Sequence, residues 1–491
     1  MTKKARTNSD WSAARPVLPA TGPRRLALYR ELRGQIEAGR LSPGDKLPTT
    51  RDIAARFGIA RGAAVAAYEM LAADGFAEAR VGAGTYVAAA VPSLQKEASP
   101  QLRNAPDAVA PLPGTLGCST ADATTLRIFR MLMNRHLTNP SPRHFHYNDP
   151  AGSHALRVEI AAYLKAARGV NCDPEQVIMT SGTQQALDLA IRALLKAGDP
   201  VWIEDPCYVM ARKVFAASGM QVVPVPVDGE GLDVAAGARL APQARAVYVT
   251  PSHQYPLGVT LSMARRLQLI DWAQRAGGYI IEDDYDSEFR FSGPPLSALQ
   301  GIDGEGRVIY VGTFSKTLLP GFRIGYLVVP WTVRERVLEV RQLTDRFPST
   351  LAEDALAEFL RDGHFSAHVK RARRRVRAAR DALMTALEEA GLEDGGLHVM
   401  PPEQGLHLVA HLPAGIDDGA LVEIAADAGF GVRALSPLYA GATDRRMGVE
   451  GVPFFIFASK YAVSGAQTAE VLAQAARRFI RDPRFLALSG R

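Results

Sequence analysis

A chain of 491 residues exceeds what one hydrophobic core usually supports, so at least two domains are expected. With 47% hydrophobic and 22% charged residues it reads as an ordinary globular protein, and no run of some twenty uninterrupted apolar residues offers a transmembrane helix. The net charge of +6 is held at one end: residues 1–90 carry 14 Lys and Arg against 8 Asp and Glu, whereas the remainder carries 43 against 43.

A basic segment on a neutral body points to a polyanionic partner engaged by one domain only. The start, Met1 to Gly22, has early cations but no apolar run long enough for a signal peptide, so a cytoplasmic protein without membrane attachment is expected. Cys118, Cys172 and Cys207 are few and widely spaced, which fits neither a disulfide framework nor a metal-ligand cluster. No metal site is expected.

From Leu26, the apolar residues Leu28, Leu32 and Ile36 recur at helical spacing, and Gly39 and Pro43-Gly44 stop the helix. Pro48-Thr49-Thr50 announces a second short helix with a threonine cap, ended by Gly58. A third helix is predicted from Arg61 to about Asp74, with Val65, Tyr68 and Leu71 on its apolar face and Gly75 suited to the left-handed position past its end. Strands over Phe76–Arg80 and Thr85–Ala88, turning at Gly82-Ala83-Gly84, add a wing to this helix-turn-helix.

The ordered set Gly44-Asp45-Lys46-Leu47-Pro48, Arg51, Arg61, Tyr68, Gly75 and Gly82-Ala83-Gly84-Thr85-Tyr86-Val87 resembles the GntR family of winged-helix regulators over residues 24–90. The resemblance implies double-stranded promoter DNA as partner. The third helix would enter the major groove, Arg51 and Arg61 would reach phosphates or bases, and Gly82, Gly84 and Thr85 would bring the wing to the minor groove. Arginine suits both tasks because its planar fork can be bidentate to phosphate or guanine. Ala60-Arg61-Gly62-Ala63-Ala64 departs from the family's Ser-Arg-Asn-Thr start of this helix, so no site sequence is carried over.

Residues 91–114, rich in proline, alanine and polar residues and without periodicity, are expected to be a linker. From residue 115 to 491, helical stretches alternate with short apolar runs: Val177-Ile178-Met179, Val201-Trp202-Ile203, Ala246-Val247-Tyr248-Val249, Tyr279-Ile280-Ile281 and Val308-Ile309-Tyr310-Val311. Buried strands separated by helices predict an α/β domain with a mainly parallel sheet, whose ligands sit at the strands' carboxyl ends.

The chemical residues follow those ends. Thr180-Ser181-Gly182-Thr183-Gln184 opens a helix and so forms an anion site. Then come Tyr208, Glu282-Asp283-Asp284-Tyr285, Thr313-Phe314-Ser315-Lys316 and Gly321-Phe322-Arg323-Ile324-Gly325-Tyr326. Phosphate cradle, aromatic, carboxylate, lysine and arginine in this order resemble the fold type I aminotransferases, which implies pyridoxal 5′-phosphate and a smaller C-terminal subdomain. By that resemblance Lys316 forms the imine, Asp283 holds the pyridinium nitrogen, Tyr285 donates to the ring's phenolic oxygen and Tyr208 stacks on the ring. Gly182, Thr183, Gln184, Thr313 and Arg323 bind the phosphate, and Tyr147 is supplied to the neighbouring subunit.

Two departures weaken catalysis. Tyr255 stands where aminotransferases have an asparagine, and the late strand Pro453-Phe454-Phe455-Ile456-Phe457-Ala458 lacks the arginine that clamps a substrate carboxylate. The basic run Lys370-Arg371-Ala372-Arg373-Arg374-Arg375-Val376-Arg377 is read as a solvated helix face.

Winged helix followed by aminotransferase-like domain, with Pro251-Ser252-His253-Gln254-Tyr255-Pro256-Leu257-Gly258, resembles the MocR subgroup of GntR regulators. That implies an activator working as a head-to-tail homodimer. Its small amine effector, of the kind of γ-aminobutyrate, taurine or a B6 vitamer, would displace Lys316 from the cofactor and shift the large domain between states. No catalytic residues are then assigned, beyond a residual half-transamination. The alternative is a working aminotransferase with an accessory winged helix.

Overall fold

The computed structural model describes residues 23–80, 82–89, 112, 115, 119–293, 296–389, 398–399, 403–412, 417–440, 453–456 and 469–488. The chain folds as two compact units, Met1–Val109 and Ala110–Arg491. The proposed linker falls almost wholly outside the described residues, as does Cys118.

In the first unit, helices α1 (Arg24–Glu37), α2 (Thr50–Phe57) and α3 (Arg61–Ala73) precede an antiparallel hairpin of β1 (Ala77–Arg80) and β2 (Gly84–Val87). Leu28, Leu32, Ile53, Ala64 and Leu71 are buried together, which is what their helical spacing demands. The Thr49 hydroxyl accepts the Asp52 N–H at 3.2 Å and caps α2, and Gly58 ends it in the left-handed conformation. The Tyr68 hydroxyl donates to the Pro48 carbonyl at 2.9 Å, tying α3 to the loop that launches α2.

The second unit is built on an eight-stranded sheet. Its strands are β3 (Val177–Thr180), β4 (Pro200–Asp205), β5 (Gln221–Asp228), β6 (Gly231–Leu232), β7 (Ala246–Val249), β8 (Tyr279–Asp284), β9 (Val308–Thr313) and β10 (Gly325–Val328), in the order β3-β10-β9-β8-β7-β4-β5-β6. Every pairing from β9 through β8, β7 and β4 to β5 is parallel, whereas β10 runs antiparallel to both its neighbours and β6 is antiparallel to β5. The five predicted strands are all present. β5, β6 and β10 lie outside that predicted set, since prolines break up β5, β6 spans two residues and β10 follows a glycine-rich turn.

Alternation along each strand sorts side chains to the two faces. Val201 and Ile203 join one core with Ile281, Ile309 and the helix Thr183–Leu194, while Trp202 joins another with Val247, Ile280 and the helix Met263–Ala276. Helices therefore cover both faces.

A smaller four-stranded antiparallel sheet has β11 (His398–Val399), β12 (Leu408–His411), β13 (Val432–Ala434) and β14 (Pro453–Ile456) in the order β11-β12-β14-β13. It shares a core with the helices His364–Glu389, Asp418–Asp427 and Ala469–Ile480. The basic run lies on the first of these, and part of it is spent internally. Arg371 Nε and Arg375 Nη1 contact Asp122 Oδ2 at 2.8 and 2.7 Å, and Arg373 donates to the Glu288 carbonyl at 2.9 Å. Arg371 and Arg375 hold the Asp122 carboxyl far below the usual carboxylate range, against the opposing effect of its partial burial. Among the described residues no helix is long and apolar enough to cross a membrane.

On β8, Asp283 and Asp284 point to opposite faces. Asp284 meets Arg168 Nε at 2.7 Å, with both side chains buried, and the Tyr310 hydroxyl donates to it at 2.5 Å. Arg168 also donates to the Leu296 carbonyl at 2.5 Å and to Ser252, so the pair fixes the segments that flank the strand ends. Arg168→Leu strands the Asp284 charge in the interior. A loss of about 3–5 kcal/mol is expected, read as a lowered urea midpoint at unchanged slope.

Candidate functional site

In the first unit, Arg51 on the first turn of α2 and Arg61 at the start of α3 are both exposed. Gly82 and Gly84 sit exposed at the hairpin turn with φ of 73° and 107°, and Thr85 is half-buried beside them. Exposed guanidiniums on the two helices and a glycine-tipped hairpin are the parts a nucleic-acid surface needs.

In the second unit the site lies where β3, β4, β7, β8 and β9 end. Gly182 caps the helix Thr183–Leu194 with φ of 95°, a conformation that favours glycine. A Cβ there would lie 3.3 Å from Arg323 Nη2, so the guanidinium rests against the helix start, where it also donates to the Ser181 carbonyl. Free N–H groups, helix dipole and guanidinium together make a cradle for a multiply charged phosphate. Thr313, at the end of β9, accepts the Ser315 N–H at 3.1 Å and so shapes the turn that carries Lys316. Lys316 is half-buried, and Thr120 donates to its carbonyl at 3.0 Å.

Asp283 is buried, and the Tyr248 hydroxyl on β7 donates to its Oδ2 at 2.7 Å. Among the described residues its buried Oδ1 has no hydrogen-bond partner. Burial pushes its carboxyl up to about 7, against Tyr248 and the nearby Lys316 charge, which favour the carboxylate. A buried acceptor left unsatisfied is costly, and a protonated ring nitrogen would meet that need. The cradle and this lone oxygen fit the two ends of pyridoxal phosphate.

Three tyrosines form an aromatic wall, with Tyr208 and Tyr285 each edge-on to Tyr255 at 6.0 Å. The expected asparagine position is thus an aromatic one. Burial, with Asp283 close by, raises the Tyr208 phenol above its ordinary value. Tyr285 lies one residue past the end of β8, and its hydroxyl meets His253 Nδ1 at 3.1 Å, a partner the sequence does not disclose. Tyr147 stands apart: it is 75% exposed, with Arg346 over its ring at 4.0 Å and Phe347 edge-on.

Several side chains here carry no local motif and escape a reading of the sequence. Glu204 is buried and accepts from the Thr250 N–H, the Thr250 hydroxyl and Gln254 at 3.1, 2.7 and 3.3 Å, yet burial still pushes it up to about 8. Arg433 on β13 reaches the Tyr255 hydroxyl at 3.4 Å. Its strand pairs with β14, where the carboxylate clamp was sought, in the register Arg433↔Phe455. His253, Asp286 and His407 place ligand atoms within 4.8 Å of one another. The two imidazoles lie 4.4 Å apart at 38° to one another, and His253 Nδ1 and His407 Nε2 already face Asp286 and the Pro256 carbonyl at 2.9 and 3.0 Å. Cys172 and Cys207 are free thiols that burial raises to about 11 and 12, which makes them inert.

A cradle at a helix start, a lysine past a neighbouring strand and an unsatisfied carboxylate between them define a fold type I pyridoxal-phosphate domain. The aminotransferase class I and II family model matches residues 131–446, and the model for bacterial regulatory proteins of the gntR family matches residues 24–87. The "Probable rhizopine catabolism regulatory protein MocR" of Rhizobium meliloti is 38% identical over 84% of this chain and 87% of its own length. The "HTH-type pyridoxine biosynthesis transcriptional regulator PdxR" of Corynebacterium glutamicum is 32% identical over 87% and 91%. The α-aminoadipate aminotransferase LysN of Thermus thermophilus, solved with N-(5′-phosphopyridoxyl)-L-leucine, superposes with a TM-score of 0.67 at 25% identity, over 77% of this chain and 92% of that one. The chain belongs to the MocR subgroup of GntR-family transcriptional regulators.

For Glu204, a folded value near 8 against an ordinary 4.5 means that the folded state holds a proton the unfolded chain releases. Its contribution is therefore fully present below 4.5 and is lost as pH rises towards 8, at about 1.4 kcal/mol per pH unit. Glu204→Gln removes this titration. The stability of the variant relative to the parent is expected to rise across that window and level off above it, measured by urea unfolding at a series of pH values.

Proposed function

We propose that this protein is a cytoplasmic transcriptional activator that binds promoter DNA through its winged helix and senses a small amine at the pyridoxal-phosphate site. Residues 24–90 would be the DNA-binding domain, 91–114 the linker and 115–491 the effector domain. The observation that carries the reading is the pairing of an exposed-arginine winged helix with a site whose buried Asp283 oxygen lacks a partner beside Lys316.

When bound, pyridoxal phosphate supplies an aldehyde that condenses with primary amines and a ring that withdraws electrons once its nitrogen is protonated. Asp283 would accept the ring N–H, and Gly182, Thr183, Gln184, Thr313 and Arg323 would hold the phosphate. Tyr208 would cover the ring face and Tyr285 would face the phenolic oxygen. Lys316 and an effector amine would compete for the same aldehyde, so a bound effector would leave the Lys316 amine free and change the charge balance around Asp283. Such differential binding between two states is the minimum an allosteric regulator needs.

Arg433, at the mouth beside Tyr255, would anchor an anionic group at the effector's far end, which suits an amine of the kind of γ-aminobutyrate or taurine. The exposed Tyr147 suits donation to the neighbouring site of a head-to-tail homodimer.

The purified protein is expected to absorb in the visible, and Lys316→Ala to abolish that band. Adding an ω-amino acid or taurine should perturb the band at lower concentration in the parent than in Arg433→Gln, by tenfold or more for loss of about 1.5–3 kcal/mol. Sustained turnover of amine and 2-oxoglutarate would instead favour the enzyme alternative. On the DNA side, Arg51→Ala and Arg61→Ala are each expected to weaken promoter binding by about 1–3 kcal/mol. Fluorescence anisotropy across salt should show a slope reduced by about 1 for a phosphate contact.

A further inference from the structure

His253 is 2% exposed and Asp286 1% exposed. The His253 Nδ1 lies 2.9 Å from Asp286 Oδ2 and 3.1 Å from the Tyr285 hydroxyl. One nitrogen thus faces two oxygens. Asp286 Oδ2 also accepts the Leu406 N–H at 3.1 Å, so it is arranged as an acceptor, and the hydrogen it shares with the imidazole belongs on Nδ1. The same N–H, forked towards Tyr285, meets the lone pairs of the phenol. The Tyr285 hydrogen is thereby turned away from His253.

The imidazole has no freedom to do otherwise. Gly405 has φ of 89°, and a Cβ there would lie 1.9 Å from His253 Cε1, so only glycine lets the ring occupy this place. His407 lies against the ring, tilted 38° to it with centroids 4.4 Å apart, and its Nε2 lies 3.0 Å from the Pro256 carbonyl. Among the described residues the buried His253 Nε2 has no hydrogen-bond partner, as a hydrogen placed on Nδ1 leaves it. The charged and titratable groups facing this cluster are Asp283 and Asp286, Glu204 on β4, Tyr255 after β7, Lys316 after β9 and His407 before β12. His253 and Asp286 have no part in the proposed sensing of an amine.

We propose that Asp286 and His253 are positioning residues that aim the Tyr285 O–H at the phenolic oxygen of bound pyridoxal phosphate, and so set the pH at which the bound chromophore gains its proton. The inference rests on the reading that Tyr285 faces that oxygen. A hydrogen bond fixed on the ionised oxygen stabilises the deprotonated form of the chromophore. Without the N–H of His253, the Tyr285 hydroxyl is free to turn to Asp286, and that stabilisation is lost.

The test is the pH titration of visible absorbance in the full-length holo-protein. His253→Phe, which keeps an aromatic ring against Gly405 and His407, and Asp286→Asn should each raise the midpoint by about one pH unit, a tenfold change in proton affinity. His253→Asn, whose amide N–H can stand in for Nδ1–H, should stay near the parent. Tyr285→Phe should give the same upward shift, and adding His253→Phe to it should shift the midpoint no further, because the relay acts only through that hydroxyl. An unchanged midpoint in His253→Phe and Asp286→Asn overturns the proposal, as does an additive shift in the double variant. A midpoint unmoved by Tyr285→Phe itself sinks the prior reading of Tyr285 instead. If His253→Phe fails to retain the chromophore, Asp286→Asn and its combination with Tyr285→Phe carry the same two outcomes.

Discussion

An oxygen of Asp283 sits in the interior of the large unit with nothing among the described residues to accept from, and most of the surrounding architecture can be understood as keeping it there. An unsatisfied buried acceptor costs about 1–3 kcal/mol, more when ionised. The folded chain tolerates it because Tyr248 satisfies the other oxygen and because flanking parallel strands hold the backbone on both sides. Asp284, one residue on, shows the contrast: it faces the opposite side of the sheet, and its Oδ2 is engaged by Arg168, Tyr310 and Ser287 together. Two adjacent acids thus divide the work, one cementing the fold and one left open for a ligand.

The buried strands and the groups at their carboxyl ends could be read from the chain because both signals are local: short apolar runs, each followed by a polar cluster. Gly182 and Arg323 were legible as separate motifs, and their meeting follows from β3 and β9 both pairing with β10. Residues that act through partners distant in sequence left no such trace. Glu204 meets residues on the segment after β7, and Tyr248 meets Asp283 only because β7 and β8 are neighbours in the sheet. Arg433 looked like any exposed strand cation. Its place near the aromatic wall depends on the small sheet's strand order, which periodicity does not encode.

The amino-terminal unit was more readable still, since its core, caps and turns are all set within some seventy residues. Thr49, Gly58 and Gly75 behave as their chemistry requires. The basic run on the long helix is the counterexample, because charge density alone does not say whether guanidiniums face water or a carboxylate. Arg371 and Arg375 both turn to Asp122, which caps the helix Ala123–Thr138.

Residues 403–406 are stitched to the chain just beyond β8. Phe291 N–H donates to the Glu403 carbonyl, Gly405 N–H to the Phe289 carbonyl and Leu406 N–H to Asp286, and Arg290 pairs with Gln404 at 2.8 Å. Two residues after Leu406 the chain enters β12, the central part of the small sheet. The loop that presses Gly405 against His253 is therefore also the chain's entry into the small sheet. A tilt of that sheet would displace Gly405 and Leu406, and with them their contacts to His253 and Asp286. The colour of a bound cofactor would then report how the small subdomain is seated, with no label added.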